Sequence, residues 1–223
     1  MGEIDNRKRI LETAKDLFYQ KGYSATTMRM IAQASQTSIG LPSYYFGSKE
    51  SLGVAVYKEF RQKLNHACRM FYPSETHLTE YRYFSVLSDA ALLVENPIYR
   101  DLYVSTASHA DMGEYMVSML AEFHPENWIL GKYQYLNALT VVAVKANLVN
   151  ADLGKSKITP KELTEFIFHR YLRMQEPEHA GEAAGLFRKY YEEYQECGFR
   201  ILDRFELEYD REQLERHRQK MDK

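Results

Sequence analysis

Apolar side chains recur along this chain at helical spacing almost from end to end. Ile10, Ala14, Leu17 and Phe18 fall on one face of a first helix, with Arg7, Lys8, Glu12, Lys15 and Asp16 opposite, and Gly22 closes it. Thr26 and Thr27 are hydroxyl residues suited to capping a second, short helix whose apolar stripe is Met28, Ile31 and Ala32. After a Ser35-Gln36-Thr37 turn, Ser38 can cap a third short helix from Ile39 to about Tyr45. Pro42 falls in its first turn, where a missing N–H costs little. Ser48 is the next cap, with Lys49 and Glu50 behind it. Leu52, Ala55, Val56, Phe60 and Leu64 then repeat along a long fourth helix that reaches Phe71 before Pro73.

The pattern continues beyond Pro73. It predicts helices over Leu78–Glu95, Ile98–His109, Met112–Phe123, Glu126–Ala151, Pro160–Gln175 and Gly181–Glu208, punctuated by Asn96-Pro97, His124-Pro125, Gly154, Pro160 and Pro177. No segment reads as a convincing strand, so the expected fold class is all-α. Glu206 to Lys223 is so charged that it is either an exposed helix or a fraying tail.

Composition narrows the class. Hydrophobic residues make up 45% of 223, enough for a core, and 6 prolines and 11 glycines are too few for a long disordered linker. A small head and one larger body would use up this length. Charge is uneven: residues 1–64 carry 10 Lys/Arg against 6 Asp/Glu, the remainder 19 against 25. A basic segment favours a polyanion because neutralising phosphates releases condensed counterions, although a solvated helical surface has the same composition. Cys68 and Cys197 lack the spacing of a zinc site, and a reducing, cytoplasmic location is the simplest reading. The N-terminus has no uninterrupted apolar run, and Ala138 to Leu148 is short and broken by Lys145, so neither secretion nor membrane spanning is expected.

A helix, two short helices joined by a brief turn, then a long helix is the layout in which the second short helix enters the DNA major groove while the first braces against the backbone. A small helical subdomain without DNA has the same layout. The residues decide between them. The run from Gly22 through Tyr23, Thr26, Thr27, Arg29, Ile31 and Ala32 to Ser35, followed by Ser38-Ile39-Gly40-Leu41-Pro42-Ser43-Tyr44-Tyr45-Phe46-Gly47-Ser48-Lys49-Glu50-Ser51-Leu52, closely resembles the N-terminal domain of the tetracycline-repressor (TetR) family. The resemblance covers about residues 4–64, with the helix-turn-helix at 27–46. It implies that residues 65–208 form a helical effector-binding and dimerisation domain, followed by a charged tail at 209–223.

Carried over by position, the resemblance implies phosphate contacts for Thr27, Tyr44, Ser48 and Lys49; helix N-termini suit that role. Base reading would fall to groove-facing groups at Arg29, Ser38, Ile39, Gly40, Leu41, Ser43 and Tyr45. Arg29 can pair with guanine, and the apolar groups with a thymine methyl. Phe46 and Leu52 read instead as core. Three departures limit the transfer: Gln36-Thr37 stands where the family often has Gly-Val, Ser43 replaces a frequent tyrosine, and Tyr45 a frequent histidine.

The resemblance further implies a homodimer on a palindromic double-stranded DNA operator, usually a repressor, altered or released by a small molecule. Two helices are candidates for pairing: Gly181–Glu208, through Tyr190, Tyr194 and Ile201, and Pro160–Gln175, through Phe166. Burial inside its own domain is the commoner outcome for a helix of this sort, so pairing rests mainly on the resemblance. Aromatic and thioether side chains between Tyr81 and Tyr135 suit an adaptable apolar pocket, with Tyr103, Met116, Tyr133, Asn137, Val141 and Lys145 as candidates, though such a stripe also serves an ordinary core. Asn137, Val141, Lys145 and Leu148 share one helical face, so a polar or anionic ligand would find Asn137 or Lys145. No cofactor and no catalysis is expected: His66 and Cys68 stand two apart on a helix and point away from each other, and His109, Asp111 and Glu114 straddle a helix boundary. The rival reading is a helical adaptor with no operator binding.

Overall fold

A computed structural model describes residues 2–124, 134–151 and 157–221. The architecture is all-α apart from one small hairpin. Helices α1 (Gly2–Lys21), α2 (Met28–Ala34) and α3 (Leu41–Phe46) form the head, and α4 (Lys49–Phe71) runs from it into the body. The body holds α5 (Leu78–Glu95), α6 (Pro97–Thr106), α7 (Ala110–Phe123), α8 (Gln134–Val149), α9 (Pro160–Gln175), a 3-10 turn at Pro177–Glu182 and α10 (Ala183–Cys197). Strands β1 (Arg200–Leu202) and β2 (Glu206–Glu208) pair antiparallel with Ile201 opposite Leu207, and α11 (Arg211–Met221) follows.

The starts of these helices follow capping chemistry. Thr27 Oγ1 accepts from the Met30 N–H at 3.2 Å and Ser48 Oγ from the Ser51 N–H at 3.0 Å. Asn96 Oδ1 accepts from the N–H groups of Ile98 and Tyr99, and Thr159 forms a reciprocal capping box with Glu162. Ser38 is not the cap of α3. A tight turn in which the Leu41 N–H bonds to the Ser38 carbonyl at 3.0 Å precedes the helix, and Gly40 holds the cap position with no side-chain bond.

Beyond Pro160 the expected helix Gly181–Glu208 is corrected. It is α10, and it stops at Cys197 because Gly198 takes the left-handed conformation, φ +61°, that closes a helix cheaply only in glycine. The following stretch folds into the hairpin. The charged C-terminal stretch is a helix, with Leu214 buried on its inner side against α4 and α10. The start of the expected helix Glu126–Ala151, and Tyr133 with it, lies outside the described residues.

α4 organises the molecule. Leu52, Val56, Tyr57, Phe60, Arg61, Leu64 and Cys68 are buried along it, and it packs against α1 and α3 of the head and α5, α6, α7, β2 and α11 of the body. Two further contacts bind head to body. The Tyr23 N–H donates to Asp101 at 3.1 Å, and the hairpin tip lies on α1. There Phe205 is buried with its ring edge-on to Tyr19, Arg204 pairs with Asp16 at 2.8 Å, and Glu206 pairs with Lys63 at 2.7 Å. Lys15, buried on α1, pairs with Glu59 of α4 at 2.7 Å. Gly53 is what lets α4 approach: a Cβ there would stand 2.7 Å from both Tyr23 Cε2 and Thr106 Cγ2.

Gly53→Ala should therefore lower stability by about 1 kcal/mol. Overpacking of roughly 1–3 kcal/mol outweighs the roughly 0.5–1 kcal/mol that alanine gains in a helix. Urea unfolding of the two proteins decides; a more stable alanine variant would show that the helices move apart freely.

Candidate functional site

In the head, the same short helices present two faces. Ile31, Ala32, Pro42 and Phe46 point inward, whereas Thr27, Arg29, Ser38, Ile39, Gly40, Ser43 and Tyr44 are exposed. Ile39 is 64% exposed and Tyr44 71%, high values for an isoleucine and a tyrosine on an ordered turn and helix. Leu41 and Tyr45 are half-buried, and the Tyr45 ring meets Tyr44 edge-on at 5.1 Å, which orients both. At Gly40 a Cβ would meet no atom within 4 Å, so the backbone itself forms the surface. Gln36 sits in the left-handed region at φ 53°, which explains why glycine suits that turn position better.

Lys49 is placed differently from a simple surface cation. Its ammonium donates to the carbonyls of Tyr23 at 3.2 Å and Thr26 at 3.1 Å, and lies 4.3 Å over the Tyr23 ring. Two of three donors therefore secure the turn between α1 and α2 that aims α2. Sequence reasoning missed Arg7, whose guanidinium stacks 4.8 Å over the Phe46 ring and so reaches from α1 to the end of α3. Its charge was visible in the sequence; its position beside α3 was not.

The body contains a cavity of about 40 Å³ between α4, α5, α7, α8 and α9. Met116, Val141 and Lys145 line it, as does Leu148 from the same face of α8. Tyr103 does not: it is fully buried beside it, its phenol donating to the Val142 carbonyl at 3.3 Å. Asn137 is also withdrawn, because it exchanges two amide hydrogen bonds with Gln175 of α9, at 3.0 and 3.3 Å. The polar side of the cavity comes from residues that periodicity assigned to core helices. Arg61 and Asp89 are 1% and 4% exposed and stand 3.2 Å apart, and Lys145 pairs with the other Asp89 oxygen at 2.6 Å. Tyr99 donates to Asp89 at 2.7 Å. Burial would raise the Asp89 pKa, but Arg61 and then Lys145 outweigh it and hold the carboxyl below its ordinary value. Burial also lowers the Lys145 pKa, against the pull of Asp89.

Three expected pairing residues belong to the chain's own core. Tyr190 packs edge-on to Tyr72 and Tyr83, Tyr194 donates to Glu95 at 2.7 Å, and Ile201 is buried in the hairpin. An aromatic face on α10 is absorbed internally because Tyr72, just past the end of α4, and Tyr83 of α5 offer it matching rings. Phe166 of α9 is 52% exposed.

A short helical head in which two short helices joined by a turn leave Ile39 and Tyr44 exposed is a layout that suits docking into a DNA groove. Residues 10–56 match the family described as bacterial regulatory proteins, tetR family. The chain is similar over 68 residues, at 38% identity, to the uncharacterized HTH-type transcriptional regulator YhgD of Bacillus subtilis (strain 168), and over 58 residues, at 36%, to the probable HTH-type transcriptional regulator YttP of the same organism. These segments cover 29% and 26% of this chain and only 36% and 28% of the two relatives. Among solved structures, the SmeT–triclosan complex aligns at TM-score 0.42 and 16% identity, covering 75% of this chain and 90% of that one. The TetR-family protein CprB from S. coelicolor A3(2) aligns at 0.39 and 18%, covering 82% and 97%. Among the described residues no helix is long and apolar enough to cross a membrane.

Replacing Asp89 by Asn should cost about 3–5 kcal/mol, because it leaves two buried cations uncompensated. A carboxyl with a depressed folded pKa contributes stability that is fully present above its ordinary value of 3.8 and is lost as pH falls through the lower folded value. The Asp89→Asn variant should therefore lose this part of the acid-induced destabilisation in thermal melts between pH 2 and 7; an acid limb unchanged in slope would contradict the assignment.

Proposed function

We propose that this protein is a sequence-specific, DNA-binding transcriptional regulator of the cytoplasm, acting as a homodimer on a palindromic operator, most simply as a repressor, and answering to a small molecule held in the body cavity. The observation that carries this reading is the exposed surface from Thr27 to Tyr44 inside the segment that matches the tetR family. Thr27, Tyr44 and Ser48, with Arg7 and the remaining donor of Lys49, would grip phosphates. Arg29, Ser38, Ile39, Gly40, Ser43 and the edge of Tyr45 would meet base edges, Gly40 through its bare backbone. α4 supports the effector half of the reading, since its first turn backs α3 and its middle supplies Arg61 to the cavity wall. Pairing of two copies would use the outer face of α9 around Phe166. The chemistry of the two faces is binding, not bond-making, so the protein is read as a regulator and not as an enzyme.

Mobility-shift titrations against DNA upstream of its own gene test the reading. Binding should be sequence-selective and fall steeply with salt. Tyr44→Ala should weaken it by about tenfold on all bound sequences, the loss of one neutral phosphate contact, with an unchanged salt slope. Arg7→Ala should lower the slope by about one unit. Equal binding to unrelated DNA, or none, would overturn the proposal. The dimer is checked separately by sedimentation at micromolar concentration, where Phe166→Glu should shift the wild-type dimer towards monomer; a monomeric wild type would exclude it.

A further inference from the structure

The cavity wall has a charge preference, and the inference drawn from it rests on the reading of this cavity as the effector site. Four charged side chains line the cavity: Arg61, Lys145 and Arg170 against a single Asp89. Asp89 is nearly saturated. Its Oδ1 accepts from the Tyr99 hydroxyl at 2.7 Å and faces Arg61 at 3.2 Å, while Oδ2 accepts from Lys145 at 2.6 Å. A cationic guest would find only the second lone pair of Oδ2 there. The cations are less fully used. Arg61 Nε has no acceptor among the described residues. Lys145 spends one donor on Asp89 and rests 4.6 Å over the Tyr103 ring. Arg170, exposed on the α9 side of the lining, makes no ion pair among the described residues. In a site of low dielectric this surplus of positive charge attracts an anion and repels a cation.

The remaining wall is apolar, with Val141, Leu148, Ile167 and three methionines, Met116, Met119 and Met174. Pockets for drug-sized molecules measure roughly 300–1,000 Å³, so a guest must enlarge this one. Thioether side chains re-pack about several free bonds and suit such a wall. We propose that the cavity takes a carboxylate carried on an apolar body, with the carboxylate between Lys145 and Arg170 on the Arg61 side and the apolar body among the methionines. Enlarging the cavity displaces Arg61, and with it the helix that backs α3.

The test is calorimetric titration of the full chain with decanoate, 2-naphthoate, decanol and decylamine, each paired with the mobility shift. At least one carboxylate is expected to bind about tenfold or more tightly than the alcohol and the amine, and to weaken DNA binding; which carboxylate does so separates a chain-like from a ring-like body. Lys145→Gln should weaken that carboxylate by about tenfold and leave decanol within about twofold. Where this variant melts too low to use, Arg170→Gln on the exposed side gives the same comparison, with an expected loss of about threefold. Alcohol or amine binding equal to the carboxylates, no binding of either carboxylate, or a carboxylate affinity unmoved by the usable variant overturns the proposal. DNA binding by the ligand-free protein is read in the same series: its presence with any of those results leaves the regulator reading standing, and its absence sinks that reading instead.

Discussion

The buried ion pair between Arg61 and Asp89, closed by Lys145, is the contact on which the body turns. It joins α4, α5 and α8 at one point, with the two inner partners 1% and 4% exposed. Taking three charges out of water costs several kcal/mol each after relaxation, and the mutual attraction repays this only when geometry is good and the remaining polar atoms are used. Tyr99 and Ser85 supply two of those uses, at 2.7 and 3.2 Å. An apolar trio of the same volume would often be as stable or more so, so stability by itself is a weak reason for charges here. Their position on a cavity wall is a better one.

The head has no independent means of holding its orientation. It is fixed by α4, by the Tyr23–Asp101 bond and by the hairpin on α1. Arg204 and Phe205 both adopt positive φ to turn that hairpin, a cost of roughly 1–3 kcal/mol each that the buried Phe205 ring and the Arg204–Asp16 pair offset. Because α4 is one continuous helix, a displacement at Arg61 and a displacement at Ser48 belong to the same rigid element. Energetic coupling between two sites needs such a shared element.

Lys49 illustrates how a residue can serve binding without facing the partner first. By holding two carbonyls of the turn before α2 it sets where Thr27 presents its cap, and therefore where the free N–H groups of α2 point. Its half-buried stem and the Tyr23 ring beneath it make that turn stiff.

Helix-period apolar spacing, hydroxyl caps and the dense run from Gly22 to Leu52 were enough to mark the all-α fold, the head and its exposed residues, because each depends on neighbours within a turn or two. Even the face of α8 carrying Val141, Lys145 and Leu148 could be read this way. What periodicity could not say is what each face meets. Tyr190, Tyr194 and Ile201 were open to a partner or to the chain's own core, and Tyr72, Tyr83 and Glu95 packed against Tyr190 and Tyr194 decide for the core. Asn137 was taken by Gln175, Arg61 and Asp89 were hidden among core positions, and one glycine at 198 turned an expected helix into a hairpin that grips α1. Local spacing determines which side of a helix is apolar or charged; only long-range packing decides whether that side is buried in its own chain, lines a cavity or is left for a partner.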